Sequence, residues 1–372
     1  MTKIYKFIKL ILFFILFPIN LVHHLLGFRV VKMNYRRIGH LISEYDSILN
    51  LYGQNQYRIY FCINKNLCAN KSVLDLIANT HILFTEKICV LIIESMTRWG
   101  NLSIFDASKF IQADNVAAEY PKILNETTLN DYKLKVVNSF SESRNTLLFK
   151  IFGEIPKWYV CIHTRNNDDH YSDGEIQKYR NAKLANLRGS VEFIKKKGGT
   201  VILMGGNSRT EEINFNGFYD YATSEFKSEL NDIILISGCK FFLGCTSGLF
   251  QVATFFNIPC GLANVVPLAV SPFSGKDIFI YKHHYDNLEN RFLNFEEVKD
   301  LGFESERAAW HLQKRLSLIE NSEEEIESLC KKMYKQVILK EEILPTIYGF
   351  ATLNKSYYGY HSLAKLDPSF IL

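Results

Sequence analysis

The sequence lacks much that would point directly to a function. Its charge is nearly balanced: 43 Lys and Arg stand against 39 Asp and Glu, a net of +4. So small an excess argues against nucleic acid as a partner, which a clustered basic face would announce. The eight cysteines, at 62, 68, 89, 161, 239, 245, 260 and 330, include no Cys-x-x-Cys pair. Several sit inside apolar runs, which argues against a disulfide framework or zinc site and for buried thiols in a reducing compartment. There is no Walker loop, Gly-x-Ser-x-Gly or His-Glu-x-x-His motif. That lowers the case for a P-loop NTPase, an α/β-hydrolase or a zincin. No Asp-x-Asp pair stands at a strand end, so no metal ion is expected. Repeats and low-complexity linkers are missing too, and 47% hydrophobic against 22% charged residues excludes disorder for the bulk of the chain.

What is present begins at the front. From Leu10 to Phe28 there is no charged residue, and 19 residues of helix would span about 28 Å. Asn20, His23 and His24 interrupt the run, and Pro18 would bend a helix. Lys3, Lys6 and Lys9 precede it; Arg29, Lys32, Arg36 and Arg37 follow. No small-residue cleavage site marks a signal peptide. Residues 1–27 therefore read as a membrane-associating helix on the cytoplasmic face of an inner membrane. It either lies in the leaflet with snorkelling lysines (peripheral or monotopic) or makes a single pass.

At roughly 150 residues per domain, 372 residues suggest about two domains. Strand-like and helix-like segments alternate, the α/β pattern. Strands are expected at 28–33, 57–63 and 88–93, helices at 41–52 and 72–79, and a turn at 36–40. A polar, weakly periodic stretch runs from about 101 to 154. A second series opens with a strand at 158–165. A helix is expected over 180–197, with Leu184, Leu187, Val191 and Ile194 on one stripe. A strand at 200–206, a short helix at 231–238, a strand at 240–245 and a helix at 248–257 follow. A late helix opens on the Ser322–Glu325 capping box. The expectation is two Rossmann-like α/β domains facing across a cleft, 28–153 and 154–345, with a C-terminal extension, 346–372. Ligands of such domains bind beyond the carboxyl ends of the strands.

Three motifs stand at such ends. His163 and Arg165, two apart at a strand end, point to one face, and Asp168 follows. The Arg165 fork suits two phosphate oxygens, and His163 adds a hydrogen bond or a proton. The plainer alternative is an arginine paired with Asp168 or Asp169 and a core histidine. Thr246, Ser247 and Gly248 stand between a strand and a helix, where free amides bind anions; the alternative is an ordinary helix cap. Arg36, Arg37, Gly39 and His40 form the first strand-to-helix turn, with His40 a candidate base or a hydrogen-bonding partner of an acceptor; the alternative is a basic surface turn near a membrane. Arg180 and Asn181 open the helix after the long polar loop 166–178. Gly205 ends a strand, and Asp220 stands where the chain re-enters the second domain.

These residues carry a resemblance. The sequence is similar to a bacterial glycosyltransferase family found with surface-polysaccharide genes. The matching pieces are 37–41, 160–165, 179–182, 204–205, 220–222, 232–233, 241–244, 247–249, the 322–335 helix and 367–370. The HxRxxD pattern of His163, Arg165 and Asp168 also resembles the first motif of the fucosyltransferase superfamily. The resemblance implies a GT-B fold with the donor in the second domain. It also implies Arg165 and Ser247 on the nucleotide diphosphate, with His163 beside them. The family has a basic residue before the Met-Gly step, where this chain has Leu203.

The function expected is a glycosyltransferase moving a sugar from a nucleotide-diphosphate donor, a co-substrate rather than a cofactor, to a surface-glycan or lipid-linked acceptor. Metal independence and inversion are expected. His40, Asp168 and Asp169 are the candidates for the base. The rivals are a non-catalytic sugar- or nucleotide-binding scaffold and a sugar-nucleotide epimerase on the same fold.

Overall fold

A computed structural model of the chain describes residues 28–52, 58–78, 82–84, 104–106, 131–165, 177–206, 214–268, 272, 274–302, 315–343 and 362–367, with 7, 11, 14, 15, 18, 22, 25 and 26 at the front. The expected strand at 88–93, Asp168 and Asp169 lie outside the described residues. The chain forms two compact units, Met1–Val116 and Ala117–Leu372.

The first unit holds a parallel four-stranded sheet. Its strands are β1 (Phe28–Lys32), β2 (Arg58–Cys62), β3 (Ile82–Phe84) and β4 (Ile104–Asp106), in spatial order β3-β2-β1-β4. That order is the mononucleotide-binding arrangement, and it reverses between β1 and β4. Helix α1 (Ile38–Tyr52) follows β1, and α2 (Lys71–Ala78) follows β2. Leu41, Ile42, Tyr45 and Ile48 bury one stripe of α1, and the Tyr45 ring meets the edge of Phe61 on β2 at 5.4 Å. The Asn70 side chain caps α2 by accepting from the Val73 amide at 2.8 Å.

Among its described residues the second unit begins with two helices, α3 (Asp131–Ser139) and α4 (Ser141–Phe152), in the polar, weakly periodic stretch of the sequence. Their apolar signal is short: α4 buries only Leu147 and Leu148. A seven-stranded parallel sheet follows. Its strands are β5 (Tyr159–His163), β6 (Thr200–Leu203), β7 (Tyr219–Asp220), β8 (Phe242–Gly244), β9 (Cys260–Val265), β10 (Ile278–Tyr281) and β14 (Lys365–Leu366). The spatial order is β14-β10-β9-β8-β5-β6-β7. Counted from β5, this is the doubly wound order again, and the reversal lies between β5 and β8.

The faces of this sheet follow the two-residue period. Val160 and Ile162 pack with Val201, Leu203 and Leu243 against α5 (Arg188–Lys196) and α9 (Glu323–Tyr334). Tyr159 and Cys161 point the other way, and the Tyr159 hydroxyl donates to the Leu235 carbonyl on α6 (Glu229–Ile236). The α9 capping box forms as read, with Ile326, Leu329 and Met333 buried. A small antiparallel sheet, ordered β12-β11-β13, joins β11 (His283–Asp286), β12 (Arg291–Leu293) and β13 (Leu316–Ile319). The chain's end returns to the large sheet: β14 pairs with β10, and the buried Asp367 forms an ion pair with Lys332 on α9.

Two expectations are corrected. Residues 180–197 are not one helix. Short 3-10 turns at Lys178–Arg180 and Leu184–Leu187 precede α5. Between them the Ala182 amide donates to the Arg165 carbonyl and the Lys183 amide to the Glu320 carboxylate, both at 2.8 Å. These long-range bonds take donors that a helix would need. The turn at 36–40 is likewise shorter than expected, since α1 starts at Ile38 and takes in Gly39 and His40. At the front, residues 7, 11, 14, 15, 18, 22 and 25 are helical. Among the described residues no helix is long and apolar enough to cross a membrane.

Candidate functional site

The reversal point of the second sheet gathers most of the sequence-predicted residues. Strand β5 ends at His163, and Arg165 follows it. Strand β8 ends at Gly244, and Cys245, Thr246 and Ser247 lead into α7 (Gly248–Phe255). The two strand ends approach closely: a Cβ on Gly244 would stand 2.2 Å from the His163 carbonyl oxygen, so only glycine fits there. The Arg165 amide donates to the Cys245 Sγ at 3.0 Å. Arg180 Nη2 donates to the Thr246 carbonyl at 2.9 Å, and its Nη1 to the Gln177 side chain at 3.2 Å. Arg180 thus reaches this point from the last residue of a 3-10 turn and not from the start of an α-helix.

The sequence reading missed Lys282. It follows β10, is 4% exposed, and its Nζ donates to the Asn181 carbonyl at 2.6 Å. Burial holds its pKa below the ordinary lysine value, against the opposing pull of Glu320. Burial also pushes the Cys245 thiol up, while the Arg165 amide and the charges of Arg180, Arg165 and Lys282 pull it down. Three cations therefore act on one buried sulfur, beside a helix N-terminus. A lysine beyond an apolar strand carries no local motif; only the sheet order brings it here.

Ser247 occupies the N-cap position of α7 but makes no side-chain cap bond. Thr246 is 0% exposed and Ser247 6%, and neither hydroxyl has a hydrogen-bond partner among the described residues. Arg180 Nε is also buried without one. Buried polar groups are almost always satisfied, so unsatisfied ones at an amide-rich helix start require an explanation. The capping role considered from sequence does not supply it. An anion would satisfy both hydroxyls and the first amides of α7, Gly248 included.

His163 packs under the next strand. Its Nδ1 donates to the Met204 carbonyl at 3.2 Å, which fixes the ring tautomer. Gly205 follows at φ +138°, and a Cβ there would stand 3.2 Å from that nitrogen. Asp220 ends β7, two strands from β5, or about 10 Å across the sheet. Asp232 and Asn231 lie within α6, whose N-cap is Ser228.

In the first unit, Arg37, Gly39 and His40 lie just beyond β1, beside the reversal between β1 and β4. His40 Nδ1 pairs with Glu44 Oε1 at 3.2 Å, one turn along α1. The Glu44 side chain is 0% exposed, and its other oxygen accepts from the Asn34 amide at 2.7 Å. A buried carboxylate thus orients an imidazole that is itself partly exposed. Glu44 was not singled out from sequence, although its i+4 spacing from His40 was visible. Among the described residues no group of three or more His, Cys, Asp or Glu side chains is placed to hold a metal ion.

The sequence matches no protein-family model and no curated protein. Several solved structures are similar to the chain. One is the ADP-heptose lipopolysaccharide heptosyltransferase II of E. coli, at 12% identity and a TM-score of 0.45, covering 82% of this chain and 99% of that one. A glycosyltransferase family 9 protein from Veillonella parvula has 9% identity and a TM-score of 0.45, covering 84% and 97%. A dodecameric iron-containing heptosyltransferase of E. coli, solved with ADP-D-beta-D-heptose, has 11% identity and a TM-score of 0.40, covering 83% and 76%. None of the three reaches a TM-score of 0.5.

Proposed function

We propose that the protein is a glycosyltransferase that moves a sugar from a nucleotide-diphosphate donor to a surface-glycan or lipid-linked acceptor. The observation that carries this reading is a set of bonds at one strand end: Arg165 to Cys245 through its amide, Arg180 to the Thr246 carbonyl and Lys282 to the Asn181 carbonyl, beside the buried Thr246 and Ser247 hydroxyls that have no partner among the described residues. Three cations and a helix N-terminus match the charge of a diphosphate better than that of a single phosphate.

Transfer breaks the bond between the anomeric carbon and the terminal phosphate oxygen, and negative charge grows on the departing diphosphate. Arg165, Arg180, Lys282 and the first amides of α7 would stabilise that charge where it develops. This would fill the role a metal ion has in other transferases, so the proposed reaction is metal-independent. His163 would stand beside the diphosphate, with Gly205 allowing close approach; Asn181 and Asp220 complete the proposed donor side.

The acceptor hydroxyl must lose a proton as it attacks, and attack opposite the leaving group inverts the anomeric centre. His40 is the proposed base, supported by Glu44, whose carboxylate would orient the ring and stabilise its charged form. Arg37 and Gly39 would serve the acceptor side. The front segment would hold the protein on the cytoplasmic face of the inner membrane. In support, the helical residues Phe7, Ile11, Ile15, Val22 and Leu25 all expose apolar side chains.

Product analysis with ADP-, GDP-, UDP- and CMP-sugars and a lipid-linked acceptor extract tests the reading. The expected result is release of a nucleoside diphosphate together with a glycosylated product. Donor binding without any product would favour a scaffold, and an altered nucleotide sugar would favour an epimerase.

A further inference from the structure

A second polar site lies at the opposite end of the same sheet. A cavity of about 580 Å³ opens where β5, β8, β9 and β10 begin, roughly 16 Å, or one strand length, from the carboxyl ends. Trp158 forms part of its wall, and Lys157, Lys240, Lys276 and Lys340 line it. No Asp or Glu is among the described residues that line it. None of the four lysines forms an ion pair among the described residues. The volume falls within the range of about 300–1,000 Å³ usual for small-molecule sites.

The plainest structural explanation is that the lysines neutralise helix ends. Helices α6 and α7 and the π-helical turn Lys335–Leu339 all finish at this cavity. Each carboxyl end carries about −0.5 charge, so three offset roughly 1.5 of the four positive charges. Asp277 stands behind the wall, bound by the Cys260 and Ser274 amides, and adds at most one negative charge. Against these groups the four lysines keep an excess of about +1.5. The crowding is felt locally: desolvation lowers the Lys276 pKa, Asp277 opposes the shift, and the neighbouring Lys340 adds to it.

We propose that this cavity is a second anion site, apart from the one at the carboxyl ends of the strands, and that it takes a phosphate-bearing group. Lysine ammoniums are mobile point charges with three donors each, suited to phosphate oxygens without fixed geometry. A soluble ligand and a lipid headgroup both offer such a phosphate, and the two arms of the test below distinguish them. The site rests on its own geometry and is independent of the donor reading.

Calorimetry with inorganic pyrophosphate tests it on the full chain. Arg165→Ala should retain one pyrophosphate site, and adding Lys276→Gln and Lys340→Gln should weaken that site at least tenfold. Both lysines are exposed, so far-UV circular dichroism should not change. A parallel arm measures sedimentation with phosphatidylglycerol and with phosphatidylcholine vesicles. Loss of pyrophosphate binding in the lysine variant marks a soluble source; loss of phosphatidylglycerol binding alone marks a headgroup. Both support the site. As a check that needs no lysine variant, pyrophosphate should change wild-type fluorescence in a way that Trp158→Phe abolishes. The proposal is overturned if pyrophosphate binding and phosphatidylglycerol binding both stay within twofold in the lysine variant.

Discussion

Replacing Lys282 by Met should separate the cost of a buried cation from its use. The lysine is 4% exposed and gives its Nζ to the Asn181 carbonyl at 2.6 Å. Met keeps much of the volume and removes the charge. Removing the charged hydrogen bond costs about 1.5–3 kcal/mol, and removing the desolvated ammonium returns a similar amount. Stability at neutral pH should therefore change by no more than about 1 kcal/mol, and the informative quantity is its pH dependence. Because the folded-state pKa is lowered, the unfolded chain holds the proton more tightly. Wild-type stability should then rise as pH climbs from the lowered value towards the ordinary value near 10.5. Lys282→Met should lack that rise, so its melting temperature relative to wild type should fall with pH across this window. Nucleoside diphosphate affinity should drop by the worth of one charged hydrogen bond, about 1.5–3 kcal/mol, or about 10- to 150-fold. Thermal melts from pH 7 to 10.5 and calorimetry with UDP, GDP and ADP read both. Unchanged diphosphate affinity together with identical pH slopes would refute the reasoning.

Other changes probe the same site. Ser247→Ala should alter stability by less than about 0.5 kcal/mol, because its hydroxyl makes no cap bond, whereas a working cap is worth about 0.5–2; the same variant should weaken diphosphate binding, and urea melts with calorimetry check both. Gly244→Ala should destabilise the second unit by about 1–3 kcal/mol, since its Cβ would stand 2.2 Å from the His163 carbonyl oxygen; chemical denaturation measures it. Deleting residues 1–27 should release the protein from sedimenting membranes, and retention there would remove the front segment as the anchor.

The sequence made the site partly legible because the relevant residues sit beside local signals. His163 and Arg165 end a strongly β-prone strand, and Gly248 starts a helix before Pro259, so both strand ends could be found. Arg180 was found for a reason that does not hold. The stripe Leu184, Leu187, Val191 and Ile194 is indeed buried, but Leu184 and Leu187 lie in a 3-10 turn. The bonds from Ala182 to Arg165 and from Lys183 to Glu320 span 17 and 137 residues, beyond any local pattern. Lys282 was missed for the same reason. Strands β9 and β10 were also missed: β9 bears Asn264 at φ +57°, whose amide and side chain bond reciprocally with Asn321, 57 residues away. The two helices at 131–152 escaped because their buried faces are too short to set a period.

The most direct test of the central claim is calorimetry of UDP, GDP and ADP against wild type and Arg165→Ala, with each monophosphate alongside. The prediction is that at least one diphosphate binds, more tightly than its monophosphate, and that Arg165→Ala weakens it at least tenfold while the fold survives. Binding by none of the three, or equal binding by the variant, would contradict it.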